Sequence, residues 1–344
     1  MSAFAPVVCL VMSLLAAADP GGAASLLEKG ERLFRDGDVA GALSAFTEAA
    51  AADPRDARPR YLKGVALEKK GDAAAAAAEY KRAIQLQPQM AEAHNNLGAI
   101  LLGRGDAAGA ATELEAAVRA KPDYAEAQYN LGVVRDAQGR PGDAVAAYKQ
   151  AVRLKPTEPS YRLNLGAALR KTGDLPAATA ALKEATRLAP RDPLAWVDLG
   201  MLLSDQKSYD EAAAALDKAT KLKPDYALAW NRMGRVALKR GKVADAVAAA
   251  DKARKLDPHN GGFAADLCRA LFEAKDAAKA AGACRAAVEL DPRNSLGHYE
   301  LMKVLVAKGE CPAAKAELGK LDALPGVKPE AQKQAAAIVA SCKK

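Results

Sequence analysis

The sequence predicts an all-α fold, a solenoid of paired antiparallel helices closed by one further helix, and three observations predict it. The first is a period. Prolines stand at Pro54, Pro88, Pro122, Pro156, Pro190, Pro224, Pro258 and Pro292, each 34 residues after the last. The second is a set of small residues in the same register. With each proline counted as the thirty-second position of a unit that begins at residue 23, the eighth position reads Gly30, Gly64, Gly98, Gly132, Gly166, Gly200 and Gly234, then Cys268. The twentieth is alanine from Ala42 through Ala314, and the twenty-seventh from Ala49 through Ala287. The third is composition: 84 of 344 residues are alanine and 5% are aromatic, so the apolar half of the chain is carried by small side chains on good helix formers. A repeated unit extends one architecture without a second core, so this length does not require several domains.

Each unit reads as helix A, a glycine, helix B and the proline. Small residues at positions 8, 20 and 27 belong where the two helix backbones approach closely. Position 24 carries the larger apolar group, in Phe46, Tyr80, Leu114, Tyr148, Leu182 and Leu216. Gly37, Gly71, Gly105, Gly139, Gly173, Gly241 and Gly309 share one phase between the helices, where a left-handed residue ends helix A. Asp38, Asp72, Asp106 and Asp174 follow and can accept from the first N–H groups of helix B, while Asp56, Asp192, Asn260 and Asn294 can cap the next helix A. The proline stops helix B because it has no N–H and disfavours helix at the residue before it. Nine units fill residues 23–328, the ninth degenerate at Met302, Leu321 and Pro325-Gly326. Residues 329–344 read as a capping helix with Ala331, Ala335, Ile338 and Val339 on its inner side.

The period and the residues at positions 8, 20, 24, 27 and 32 resemble the tetratricopeptide repeat. Unit six carries the pattern most fully, with Trp196, Leu199, Gly200, Leu203, Ala212, Leu216, Ala219 and Pro224. The resemblance implies a right-handed α–α superhelix, with positions 2, 5, 6, 9, 12 and 13 of helix A lining a concave groove that binds protein segments. At position 6 of successive units stand Asn96, Asn130, Asn164 and then Asp198, a row that can hold the amides of an extended peptide. It is similar to the asparagine ladder of the O-linked N-acetylglucosamine transferases, whose catalytic domain has no counterpart in the array. The other reading of the row is inheritance from a duplicated repeat. Tyr61 and Tyr129 at position 5 either add aromatic contact to the groove or pack between helices. Arg232 and Arg235 also fall at groove phases, with acids interleaved that offer local ion pairs. The carboxylate clamp of tetratricopeptide co-chaperones is disfavoured, since position 5 of units three to five reads Asn95, Tyr129 and Leu163.

The N-terminus bears on the compartment. Residues 5–18, APVVCLVMSLLAAA, are uncharged and apolar and end in small residues, as a secretory signal does, although residues 1–4 contain no Lys or Arg. The expectation is a signal over residues 1–18, a linker over 19–22, and a periplasmic or secreted protein. The alternatives are an uncleaved apolar helix and, if the N-terminus is misread, a cytoplasmic protein. No apolar run reaches the roughly 18 residues of a membrane span. The remaining cysteines number four. Cys268 and Cys284 replace positions 8 and 24 of unit eight, which the resemblance places face to face, and Cys311 and Cys342 fall at neighbouring ends of helix B of unit nine and the cap. They are expected either as two disulfides or as buried thiols.

Together these residues point to a non-enzymatic scaffold or adaptor that binds an extended peptide in the groove and serves in assembly of a cell-envelope complex. The alternative is a solenoid that binds a polyanion, nucleic acid or acidic envelope polymer, through its formal +8 charge. That charge is less than one per repeat and forms no basic stripe, which disfavours nucleic acid. No cofactor or metal is expected: His94, His259 and His298 are scattered and no two cysteines have metal-ligand spacing.

Overall fold

The computed structural model describes residues 20–342, which form two compact units of helices, residues 20–156 and 157–342. The first unit holds four antiparallel pairs: α1 (Pro20–Arg35) with α2 (Val39–Ala52), α3 (Arg58–Lys70) with α4 (Ala73–Leu86), α5 (Ala91–Gly103) with α6 (Ala107–Ala120), and α7 (Ala125–Ala137) with α8 (Pro141–Leu154). The second holds five pairs and the cap: α9 (Pro159–Thr172) with α10 (Leu175–Leu188), α11 (Pro193–Asp205) with α12 (Tyr209–Leu222), α13 (Ala227–Lys239) with α14 (Val243–Leu256), α15 (Gly261–Glu273) with α16 (Ala277–Leu290), α17 (Ser295–Ala307) with α18 (Cys311–Ala323), and α19 (Pro329–Ala340). Odd-numbered helices from α1 to α17 are the A helices and the even-numbered ones the B helices. The expected signal, residues 1–18, lies outside the described residues. Of the expected linker, residues 20–22 lie in the first turn of α1, where proline is well placed because its missing N–H has no helical partner there.

Each pair closes around positions 8 and 24. A methyl group added at Gly98 would stand 2.7 Å from Cγ of Leu114, and one at Gly132 would stand 2.6 Å from the Tyr148 ring. The glycine is therefore space reserved for the position-24 side chain, and Phe46, Tyr80, Leu114, Tyr148, Leu182 and Leu216 are all buried on it. In α15 and α16 the same two positions hold Cys268 and Cys284, joined as a disulfide with Cα atoms 5.1 Å apart. A second disulfide joins Cys311, the first residue of α18, to Cys342, just beyond α19, with Cα atoms 5.8 Å apart. The cap buries Ala335 and sets Ile338 and Val339 against a cluster that includes Leu301, Leu305 and Leu321.

Local chemistry sets the helix ends. Asp38, Asp72, Asp106 and Asp174 accept from backbone N–H groups in the first turn of the following B helix, as does Asp276. Asp192, Asn260 and Asn294 do the same for A helices. The residue before each of the eight register prolines leaves the helical region, as at Asp53 with φ −129°. Units six and eight place Lys207 and Lys275, both at φ 63°, where the other turns have glycine.

Candidate functional site

The A helices present two different faces. In the first unit, positions 5 and 6 build a polar chain across three repeats. Asn130 of α7 donates from Nδ2 to Oδ1 of Asn95 on α5 at 2.9 Å, and Asn95 donates to Oδ1 of Asn96 at 3.1 Å. Asn96 donates to the hydroxyl of Tyr80 on α4 at 3.2 Å, and Tyr80 donates its own proton to Glu68 of α3. Burial, and then Glu68 beside it, push the Tyr80 hydroxyl well above its ordinary pKa, so it stays a donor. Tyr61 and Tyr129 are half-buried and lie against the position-24 tyrosine of their own repeat, with ring centroids 5.8 Å (Tyr61 and Tyr80) and 5.7 Å (Tyr129 and Tyr148) apart. Asn95, buried within this network, carries no signal in the position-6 row; its neighbour at position 5 is tyrosine on either side.

In the second unit the same face is ionic. Asn164 on α9 and Asp198 on α11 are half-buried, and burial pushes the Asp198 carboxyl up to about 6 against the opposing pull of Arg170. Asn231 of α13 donates to Oδ2 of Asp266 on α15 at 2.8 Å. Arg269 and Lys303 both bond Glu300 of α17, at 2.8 and 2.9 Å. Arg170 pairs with Asp205 at 2.8 Å. The interleaved acids thus engage Arg269, Lys303 and Arg170, whereas Arg232 and Arg235 form no hydrogen bond or ion pair among the described residues, and Nε of Arg232 is buried without an acceptor. Burial, and then Arg235, hold the Arg232 guanidinium below its ordinary pKa.

His94 and His298 share position 4, a phase at which the family resemblance implies packing, and the structure gives that position a definite set of partners. Nδ1 of His94 lies 2.6 Å from Glu113 and its Nε2 lies 3.1 Å from the carbonyl of Pro88. His298 repeats this geometry with Glu317 at 2.7 Å and Pro292 at 3.0 Å. Trp196 and Trp230 donate Nε1 to the carbonyls of Pro190 and Pro224. Arg60 meets Glu79 in the same way that the histidines meet their glutamates. Position 4 therefore satisfies the proline carbonyl or the acid at position 23, and both histidines are absorbed in packing. The hydrogen bond to Glu113 raises the His94 pKa, against the effect of burial. Two signals were present: the 19-residue spacing of Arg60, His94 and His298 from Glu79, Glu113 and Glu317, and the tryptophans where the acid is missing. Among the described residues no group of three or more His, Cys, Asp or Glu side chains is placed to hold a metal ion, and no helix is long and apolar enough to cross a membrane.

The tetratricopeptide repeat family model matches residues 27–91, 61–124, 95–159, 163–227 and 231–295, and the chain belongs to that family, whose fold serves protein–protein interaction. Comparison with curated proteins gives no match. Among solved structures the chain is similar to YrrB, described as a TPR protein with an unusual peptide-binding site, at 26% identity and TM-score 0.50 over 54% of this chain and 95% of YrrB. It is also similar to pilF of Pseudomonas aeruginosa, at 20% identity and TM-score 0.53 over 59% and 93% of the two chains. A chain of the APC/C hetero-tetramer Cut9-Hcn1 aligns at 18% identity and TM-score 0.58, covering 81% of this chain and 55% of that one.

Proposed function

We propose that the protein is a non-enzymatic adaptor that holds an extended polypeptide segment along its A-helix face, within an assembly of the cell envelope. The observation that carries this reading is the amide chain Asn130, Asn95 and Asn96, which links consecutive A helices and is held in place at Tyr80. An asparagine amide has two N–H donors and a carbonyl with two lone pairs, and the network uses one N–H each of Asn130 and Asn95, while Asn96 bonds both Tyr80 and Tyr61. Side chains already ordered by one another lose less entropy when a partner's backbone amides bond to what remains. The likeness to YrrB supports peptide as the ligand class. Export is supported by the apolar N-terminal segment in the sequence and by two cysteine pairs set at bonding distance, an arrangement that persists in oxidising compartments.

The test is affinity capture from an envelope extract with the wild type beside the triple variant Asn96→Ala, Asn130→Ala, Asn164→Ala, matched for helicity and melting. A polypeptide partner held by the wild type and lost from the variant supports the reading. Equal capture by both removes the asparagine row from the binding surface. An intact mass beginning at Asp19 checks export.

A further inference from the structure

The A-helix face of the second unit contains a cavity whose charge is not balanced from within. Its volume is about 190 Å3, and it is bordered by Arg170 of α9, Met201, Ser204 and Asp205 of α11, and Arg232 and Arg235 of α13. Three guanidiniums face one carboxylate, Asp205, and that carboxylate already bonds Arg170. Arg232 and Arg235 lie one helical turn apart, repel each other and have no bonded anion among the described residues. Asp266 also pulls on Arg232 from outside the cavity lining, but its Oδ2 takes the Asn231 amide while its Oδ1 is buried without a donor. Two like charges held together on a packed face, one of them partly desolvated, are costly unless an anion joins them.

We infer that this cavity is a subsite for a carboxylate carried by the bound polypeptide, with Arg232 and Arg235 as its ligands and Ser204 beside them. The inference rests on the peptide-binding reading and names the chemistry that the peptide must carry. The volume admits such a group: at about 30 Å3 per water it holds the equivalent of roughly six waters, more than a carboxylate and its methylene stem displace. The lining also includes Gly200, Leu216 and Val236, against which the methylene stem of an acidic residue can pack. The cationic lining also continues. Arg235 borders a second cavity together with Lys239, Arg269 and Glu273, so an extended chain that places one carboxylate in the first cavity passes over further positive charge.

The test is selection from a random peptide library on the full oxidised chain, in parallel for the wild type, Arg235→Gln, Arg232→Gln and Arg232→Lys. Arg235 is exposed, so its variant keeps the fold even if a change at Arg232 perturbs it; circular dichroism checks both. The wild type is expected to enrich Asp or Glu at one fixed position. A labelled peptide from that pool should bind about 10-fold or more weaker to Arg235→Gln and to Arg232→Gln, and Arg232→Lys should recover only part of the loss, because lysine lacks the planar fork. Exchanging the enriched acid for its amide, or amidating the peptide's C-terminus, shows which carboxylate enters. Enriched peptides without an acidic position, or equal affinity in all variants, overturn the subsite and leave the peptide reading standing. No enrichment at all overturns both. Competition by oligothymidylate stronger than by the acidic peptide overturns the subsite in favour of a polyanion.

Discussion

The first four repeats and the last five build one unit plan by different chemistry. In α1 to α8 the plan is kept throughout. Every A helix has glycine at position 8 under a bulky position-24 side chain, every turn has a left-handed glycine, and positions 5 and 6 of α3, α5 and α7 include Tyr61, Asn95, Asn96, Tyr129 and Asn130. In α9 to α19 each of these is replaced somewhere. A cystine takes the place of the glycine contact in α15 and α16, lysines occupy two left-handed turns, and arginines and acids occupy the A-helix face. The difference teaches that a repeat rule is a packing requirement with several solutions. At one departure in the second unit a covalent bond compensates, between Cys268 and Cys284, and at another charges remain that the fold does not use, at Arg232 and Arg235.

The widest separation between the two regions comes from reduction. The disulfides close loops of sequence separation 16 and 31, and removing them should cost about 3 and about 4 kcal/mol respectively in chain entropy. Hydrogen exchange on the full chain, read peptide by peptide with and without a reductant, should show lost protection in α15 to α19 and none in α1 to α8. Equal loss in both units would mean that the cystines do not carry the C-terminal repeats.

Next in size is the reserved space at position 8. Gly98→Ala should destabilise α5 and α6 by roughly 2 kcal/mol, since the new methyl group meets Leu114 and the Ala110 carbonyl. In a chemical-denaturation cycle, adding Leu114→Ala should return part of that loss, because the two changes share one space. Strict additivity would contradict the contact.

A smaller effect separates the ionic face by pH. The folded-state pKa of Asp198 is raised to about 6 from 3.8, so its contribution to stability is complete below about pH 3.8 and is lost as pH rises through about 6. Asp198→Asn should therefore stabilise α11 by about 1 kcal/mol at about pH 7.5, after discount for its partial exposure, and by nothing at about pH 3.5. Melting curves at the two pH values check the sign, and a stabilisation independent of pH would point to packing instead.

The smallest effect lies in the turns. Lys207→Gly and Lys275→Gly should each stabilise by about 0.5–1 kcal/mol through relief of a left-handed side-chain residue. The reverse change in the first unit, Gly71→Lys at φ 90°, should destabilise by a similar amount.

Nearly all of the fold was legible because period, glycine and proline act locally: Pro54 ends its helix whatever surrounds it, and Gly98 is small because one neighbour at a fixed offset needs the room. The site was legible only as phases. The sequence places Asn96 and Asn130 on one face, but it does not say that Asn95, one position earlier, bridges them, because that depends on the spacing between A helices. Likewise Arg232, Arg235, Arg269 and Lys303 look alike in sequence. Only side-chain reach shows that Glu300 serves the last two and that no acid serves the first two. The start of α1 at Pro20, inside the expected linker, has a similar cause: proline and glycine read as a break, yet proline opens a helix as readily as it ends one.

The central claim is that the A helices bind a polypeptide. Hydrogen exchange of the oxidised full chain with and without the best peptide from the random library tests it most directly. The account predicts added protection in odd-numbered helices, α5 and α7 of the first unit or α11 and α13 of the second, and none in their B-helix partners α6, α8, α12 and α14. Protection confined to the B helices, or no peptide that binds at all, would contradict it.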